Sequence, residues 1–263
     1  MAKINNRIND CKTTIEWYSD INSTKSFPVH FHDTYGISII LDGTYIENGH
    51  KAYRGDIVIS HPYEVHSNSV KDNESYSIFT IYTNQILDSE NLIFPHKLIR
   101  DPFLFEKIYS FYSLVDNGEK LHSDEAQKHI YTIMETLATQ YGKLRKKDYH
   151  KVIESETAEL KNFIQENIES KILLSTLAKQ KNQSTFQFIR WFKKTYGLTP
   201  NTYIMLNRIT HGRNLLREGH DIVNAVYNSG FYDQSHFSKY FKRVYNITPG
   251  TYKQQCNILQ DQD

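Results

Sequence analysis

The sequence predicts an α+β protein, with an antiparallel β-barrel first, a helical segment next, and an all-α carboxy-terminal domain built on a duplicated unit. Three observations carry this. Between about residues 15 and 95, short apolar runs alternate with turns that contain Gly and Asn. After Pro95 the apolar spacing changes to the 3.6-residue period of amphipathic helices. Finally, Arg190–Tyr203 and Lys239–Tyr252 align without a gap at an offset of 49 residues, with Phe192/Phe241, Lys193/Lys242, Tyr196/Tyr245, Thr199/Thr248, Pro200/Pro249, Thr202/Thr251 and Tyr203/Tyr252 identical. The expected boundaries are 1–95 for the barrel, 96–150 for a helical linker or dimerisation region, and 151–263 for the duplicated domain.

A chain of 263 residues can hold two domains, each burying its own core. No apolar run approaches the roughly 18–20 residues that cross a bilayer, and the first residues lack the apolar stretch of a signal peptide. A cytoplasmic location with no membrane partner is therefore expected. Cys11 and Cys256 lie near opposite ends without metal or redox spacing and read as free thiols.

In the first domain Tyr35–Leu41 reads as a buried strand, Asp42-Gly43 as a hairpin turn, Thr44–Glu47 as the return strand and Asn48-Gly49 as a second tight turn. Asp56–Ser60 continues the series. Ser75–Tyr82 alternates apolar and polar as a half-buried strand does. Many short antiparallel strands at this spacing indicate a sandwich or barrel.

His30 and His32, two apart on a strand, share a face, and His66 arrives from another segment. This pattern resembles the cupin barrel, whose His-x-His, a Glu four residues on, and a distant His surround a metal. Gly36 stands in the Glu position, which removes the carboxylate ligand. Three readings of the trio stay open: inherited barrel structure, polar contacts to a small effector, or a metal site, since three imidazoles can hold zinc or iron. Effector contact is assigned to His30, His32, Tyr35, Tyr45 and His66, with Tyr53 and Tyr63 as further hydroxyls; no metal ligand and no cofactor is assigned.

In the middle segment Asp101-Pro102 is an N-cap followed by Pro at the first helical position, and Asn117-Gly118 ends that helix. Ser123-Asp-Glu opens a longer helix with Ile130, Ile133, Met134, Leu137, Ala138, Tyr141 and Leu144 on one stripe. That stripe packs either on the outside of the barrel or on the same helix of a second subunit. Lys143–His150 reads as the interdomain linker.

Glu154–Asn167 reads as a lead helix. Each repeat then supplies a short helix, a turn and a second helix, capped by Ser184 in the first copy and Asp233 in the second, again 49 apart. Phe188, Trp191 and Phe192 match Phe237, Tyr240 and Phe241 as the buried face. The outward faces carry Thr185, Phe186, Gln187, Ile189, Arg190 and Lys193 in one copy and Gln234, Ser235, His236, Ser238, Lys239 and Lys242 in the other. Residues 171–255 hold 13 Lys and Arg against three acids, a formal charge of +10, in a chain whose total is +1. So polarised a domain is an electrostatic footprint for a polyanion.

Leu177-Ala178, Ser184, Arg190-x-Phe-Lys, Gly197, Thr199-Pro200, Arg208, Leu215-Leu216, Gly230-Phe231, Ser235-His-Phe, Phe241-Lys-Arg and Thr248-Pro-x-x-Tyr252 together resemble the AraC/XylS family of bacterial transcription regulators. The resemblance implies two helix-turn-helix units joined by a helix near Thr202–Glu218, with second helices in successive major grooves of promoter DNA about 34 Å apart. Transferred residue by residue, Phe186, Ile189 and Arg190 face bases from the first helix, and Gln234, Ser235, His236 and Lys239 from the second. Ser184, Thr185, Gln187 and Ser238 lie alongside, and Lys193, Lys194, Lys242 and Arg243 meet phosphates. Arg190 suits guanine and Gln234 adenine. The family also implies a regulator, an activator by expectation, that is not an enzyme, answers a small-molecule effector in its barrel, and has RNA polymerase and a second copy as partners. The rival readings are a metal-dependent cupin enzyme fused to a DNA-binding module, and a barrel that only dimerises. Val226 and Gly212 replace alanines of the family pattern, and Asn246 stands where the first copy has Gly197.

Overall fold

The structure is a computed structural model that describes residues 3–10, 13–71, 74–84, 92–117, 123–144 and 160–257. Of the described residues, those from 3 to 144 and those from 160 to 254 form separate compact units. Cys11 lies outside the described residues, as do residues 145–150 of the expected linker and 154–159 of the lead helix.

The first unit contains β1 (Lys3–Asp10), β2 (Thr13–Ser23), β3 (Phe27–His30), β4 (Tyr35–Glu47), β5 (His50–Tyr53), β6 (Ile57–Ser60), β7 (His66–Ser69), β8 (Tyr76–Thr83), β9 (Leu92–Ile93) and β10 (Leu98–Ile99). Antiparallel pairing gives one sheet in the order β1-β2-β8-β4-β6-β10, while β5 and β7 pair with the far end of β4 and β3 pairs with β7. The two sheets therefore share β4.

That sharing corrects the reading of Asp42-Gly43 as a hairpin turn. Strand β4 runs straight through these residues, with a register shift against β8 between Ile40 and Asp42. Gly43 has φ +74°, and a Cβ there would collide with the carbonyl oxygen of Ser75. The dipeptide bends the strand instead of reversing it, so Gly36–Ile39 pair with β6 whereas Thr44–Glu47 pair with β5. Asn48-Gly49 does close a hairpin, with φ of 48° and 83° as a tight turn with two left-handed residues requires.

The structure also corrects the half-buried reading of β8. Flanked by β2 and β4, it is buried on both faces except at Tyr82. Phe79 and Ile81 join a cluster with Ile37, Ile39, Ile57 and Ile59, whereas Tyr76 and Ile78 join a second one with Ile40 and Val58. The second cluster is the barrel interior.

Helices α1 (Pro102–Asp116) and α2 (Ser123–Tyr141) cover the first cluster. Asp101 caps α1 by accepting from the backbone N–H of Phe103 and Leu104, and it also accepts from the Tyr141 hydroxyl at 2.8 Å. Ile130, Ile133, Met134 and Leu137 are buried against α1 and the sheet, so of the two partners open to the stripe it meets its own barrel. The helix stops at Tyr141, short of Leu144. Lys143–Leu144 form β11, which pairs with β9, so the first residues of the expected linker are strand.

The second unit is helical: α3 (residues 160–166), α4 (Leu174–Gln180), α5 (Thr185–Tyr196), α6 (Pro200–Arg217), α7 (Ile222–Asn228), α8 (Gln234–Tyr245) and α9 (Pro249–Asn257). Phe188, Phe192, Phe237 and Phe241 are fully buried, while Trp191 and Tyr240 at the i+3 positions are half-buried, each with a cation over its ring, Lys181 and Arg243. Gly212 lies where α6 meets Phe237: an added Cβ would come within 2.5 Å of that ring. The glycine that weakens the helix by itself thus permits its closest packing.

Candidate nucleic-acid interface and barrel interior

The two outward helices begin and end alike. Ser184 Oγ accepts from the N–H of Gln187 while Gln187 Oε1 accepts from the N–H of Ser184, a reciprocal cap. Asp233 Oδ1 accepts from the N–H of His236 at 2.7 Å. At the other ends Gly197 and Asn246 both adopt the left-handed conformation, φ 75° and 61°, so Asn246 does the work of its glycine counterpart.

Neither α5 nor α8 carries an acidic residue, and both have basic residues in the last turn, Lys193 and Lys194 in one and Lys242 and Arg243 in the other. Thr185, Phe186, Gln187, Arg190, Lys193 and Lys194 are exposed on α5, with Ile189 half-buried; Gln234, Ser235, His236, Lys239 and Lys242 are exposed on α8, with Ser238 half-buried. The side chains of Ser184 and Gln187 are engaged in the cap. Phe186 is 68% exposed, an uncommon place for a large apolar ring, and the Arg190 guanidinium lies over it at 5.8 Å. His236 is held edge-on between Phe231 and Tyr240. Such surfaces can enter a polyanion's groove with cations, short hydroxyls and an apolar tip together.

The turns before α8 and α4 are anchored through α6. Arg208 donates from Nε to the carbonyl of Ile168 and from Nη2 to that of Ser170, at 3.0 and 2.6 Å. Gly230, at φ +78°, lies against the same guanidinium, where a Cβ would meet Arg208 Nε at 2.8 Å and the Ile168 carbonyl oxygen.

Inside the barrel the predicted histidines converge. His30 and His66 are direct partners in the β3–β7 ladder, and His32 follows where β3 ends. Their ring centroids lie 4.4–5.2 Å apart, and the three residues are only 5–6% exposed. His30 Nδ1 donates to the carbonyl of Pro28 and His66 Nδ1 to that of Glu64. Burial, with the neighbouring His66 adding to it, pushes the His30 pKa down to about 3; burial also lowers that of His66, against a partial pull upward from Glu47.

Tyr45 shares this interior and donates to Glu47 Oε2 at 2.9 Å; burial and the carboxylate hold its phenol well above 10, so it stays protonated. Tyr35 does not share it, which corrects its assignment to the effector set. Side chains alternate along β4, so Tyr35 faces the helix-covered cluster and donates to the carbonyl of Leu92. Tyr53 is exposed and Tyr63 packs on Phe31.

Glu47, Tyr82 and the Asn68–Tyr76 pair were missed as interior groups. The Asp42-Gly43 bend shifts the alternation, so counting from Tyr35 misplaces Glu47. Tyr82 takes the space beside Gly36: a Cβ on Gly36 would lie 3.4 Å from its ring and 2.5 Å from Ser60 Oγ, and the ring itself packs on His32 at 4.7 Å.

The comparisons with known proteins follow this division. Residues 13–140 match the family model of an AraC-like ligand binding domain, and residues 177–255 that of a helix-turn-helix domain. An uncharacterized HTH-type transcriptional regulator, YbfI of Bacillus subtilis, is 27% identical over 238 residues, spanning 84% of this chain and 85% of its own. An apo variant of ToxT from Vibrio cholerae has the same fold over 95% of this chain and 100% of its own, at 16% identity and a TM-score of 0.60. Wild-type ToxT bound to an unsaturated fatty acid, from the same species, matches 93% of this chain and 96% of its own at 15% identity and a TM-score of 0.55. No helix among the described residues is long and apolar enough to cross a membrane. With a ligand-binding barrel in front and paired helix-turn-helix units behind, the chain belongs to the AraC family of transcriptional regulators.

Proposed function

We propose that this regulator works in the cytoplasm as a sequence-specific activator, with α5 and α8 in successive major grooves and a small molecule bound in the barrel governing its DNA affinity. The observation that carries the reading is the pair of acid-free outward helices with equivalent caps at both ends, in a domain of formal charge +10. Arg190 reads guanine, Gln234 reads adenine, and Phe186 and Ile189 touch thymine methyls. Thr185, Ser235, His236, Ser238 and Lys239 complete the base-facing sets, Ser184 and Gln187 brace the first helix, and Lys193, Lys194 and Lys242 contact phosphates. His30, His32, Tyr45 and His66 hold the effector. RNA polymerase and a second copy of the chain are its protein partners.

Effector control requires a ligand with different affinity for two conformations of the protein. The DNA side is tested by substitution. Arg190→Ala should cost about 1–3 kcal/mol on the cognate site and relax base preference there, whereas Lys193→Ala should weaken all sequences alike and flatten the salt dependence. Equal losses for Arg190→Ala on cognate and random duplexes would remove the assignment.

A further inference from the structure

We propose that the barrel interior is a binding site for one divalent first-row transition-metal ion, with His30, His32 and His66 as its ligands. The proposal deepens the effector half of the reading above and is independent of the DNA half.

The backbone brings the three rings together: a cross-strand pair joined by the residue two positions beyond one of its members. One ring nitrogen from each lies within 4.8 Å of the others, in a buried setting. In His30 and His66 the outer nitrogen is tied to a backbone carbonyl, an arrangement that forces Nδ1 to carry the proton and leaves the Nε2 lone pair to point the other way. This is the support that orients imidazole ligands in metal sites. A convergence of nitrogen acceptors attracts a Lewis acid, and neutral nitrogen donors favour zinc, iron, cobalt or nickel over magnesium or calcium.

Charge and space agree. Glu47 pairs with Asn68 in the β4–β7 ladder, so it shares a sheet face with His66, two residues before Asn68, and its carboxylate offsets part of the ion's charge. The Tyr82 ring beside Gly36 excludes a carboxylate ligand from that position. Three protein ligands leave a coordination position for water or for an anionic effector. Metal–nitrogen bonds of about 2.0–2.1 Å put the nitrogens roughly 3.0–3.4 Å apart, so loading draws the rings together by up to about 1.5 Å and pulls the end of β3 towards β7.

The test uses full-length, untagged protein stripped with a chelator and dialysed against Zn2+ or Co2+. One tightly held ion per chain is expected, and the Co2+ form should show the visible absorption of a nitrogen-ligated ion of low coordination number. His32→Asn and His66→Asn should each weaken Zn2+ binding by at least about 100-fold, while His50→Ala, at an exposed histidine of the same unit, should leave it unchanged. Metal-free melting curves verify that the variants fold. The proposal is overturned if the wild-type protein holds no stoichiometric ion, or if the ion persists undiminished in folded His32→Asn and His66→Asn proteins. Duplex binding measured in parallel keeps the two readings apart, since failure to bind metal leaves DNA affinity standing and failure to bind DNA leaves the metal result standing.

Discussion

Replacing Gly230 by alanine tests how the second helix-turn-helix unit is fastened. The residue holds φ +78°, which costs an L-residue about 1–2 kcal/mol. The new methyl would also meet Arg208 Nε at 2.8 Å and Cζ at 3.0 Å, closer than real contacts allow, as well as the carbonyl oxygen of Ile168. Relief requires the guanidinium to leave the carbonyls of Ile168 and Ser170, and hydrogen bonds from a charged donor contribute about 1.5–3 kcal/mol. Counting one such bond at the lower end because Arg208 is half-buried, the sum is about 2.5–3.5 kcal/mol, a large part of the 5–15 kcal/mol typical of a domain. Urea unfolding followed by helical circular dichroism measures it. In an Arg208→Ala background the same substitution should cost about 1–2 kcal/mol less, because that clash is gone. A loss below about 1 kcal/mol, or the same loss in both backgrounds, would refute the reasoning.

Gly212→Ala sets a gain of about 1 kcal/mol in helix propensity against overpacking of about 1–3 kcal/mol, because the methyl would lie 2.5 Å from the fully buried Phe237 ring. The melting temperature should fall; a rise would show that the ring yields freely. Ser184→Ala and Asp233→Ala each remove an N-cap and should each cost about 1 kcal/mol, measured by thermal unfolding, with no effect in either sinking the equivalence of the two units. His30 has a folded pKa near 3 against 6.5 unfolded, so below pH 6.5 the unfolded chain binds the extra proton. In chelator-treated protein its contribution, fully present above pH 6.5, should therefore fall by about 1.4 kcal/mol per pH unit down to about pH 3. His30→Asn should show a shallower acid limb in denaturant titrations, and an unchanged slope would reject that account.

The helical half was legible because its signals are local and occur twice. Caps, a 3.6-residue period and Thr-Pro starts are read within a dozen residues, and Ser184 and Asp233 lie where the spacing put them. The barrel was less legible because its logic is non-local. Asp42-Gly43 has turn composition, yet what it meets is Ser75, over thirty residues on, and that contact makes it a bend. The same bend moves Glu47 into the interior with Tyr45, while Tyr35 remains on the other face of β4. His30, His32 and His66 were recognisable as a set from spacing, but their mutual distance depends on the β3–β7 register. The role of Gly212 was illegible for a related reason: helix propensity sees only its own helix, and the ring it admits belongs to α8.

Helix α6 buries 11 of its 18 residues, spread around its circumference, and it packs against α5, α7 and α8. A rod about 27 Å long and gripped on every side cannot stretch or swivel to suit its target. If α5 and α8 sit on one duplex as proposed, the gap between half-sites is then measured by the protein, not negotiated with the DNA. One extra base pair between them would turn the distal half-site by about 35° away from its reader, so promoters under this regulator can drift in letters far more readily than in length.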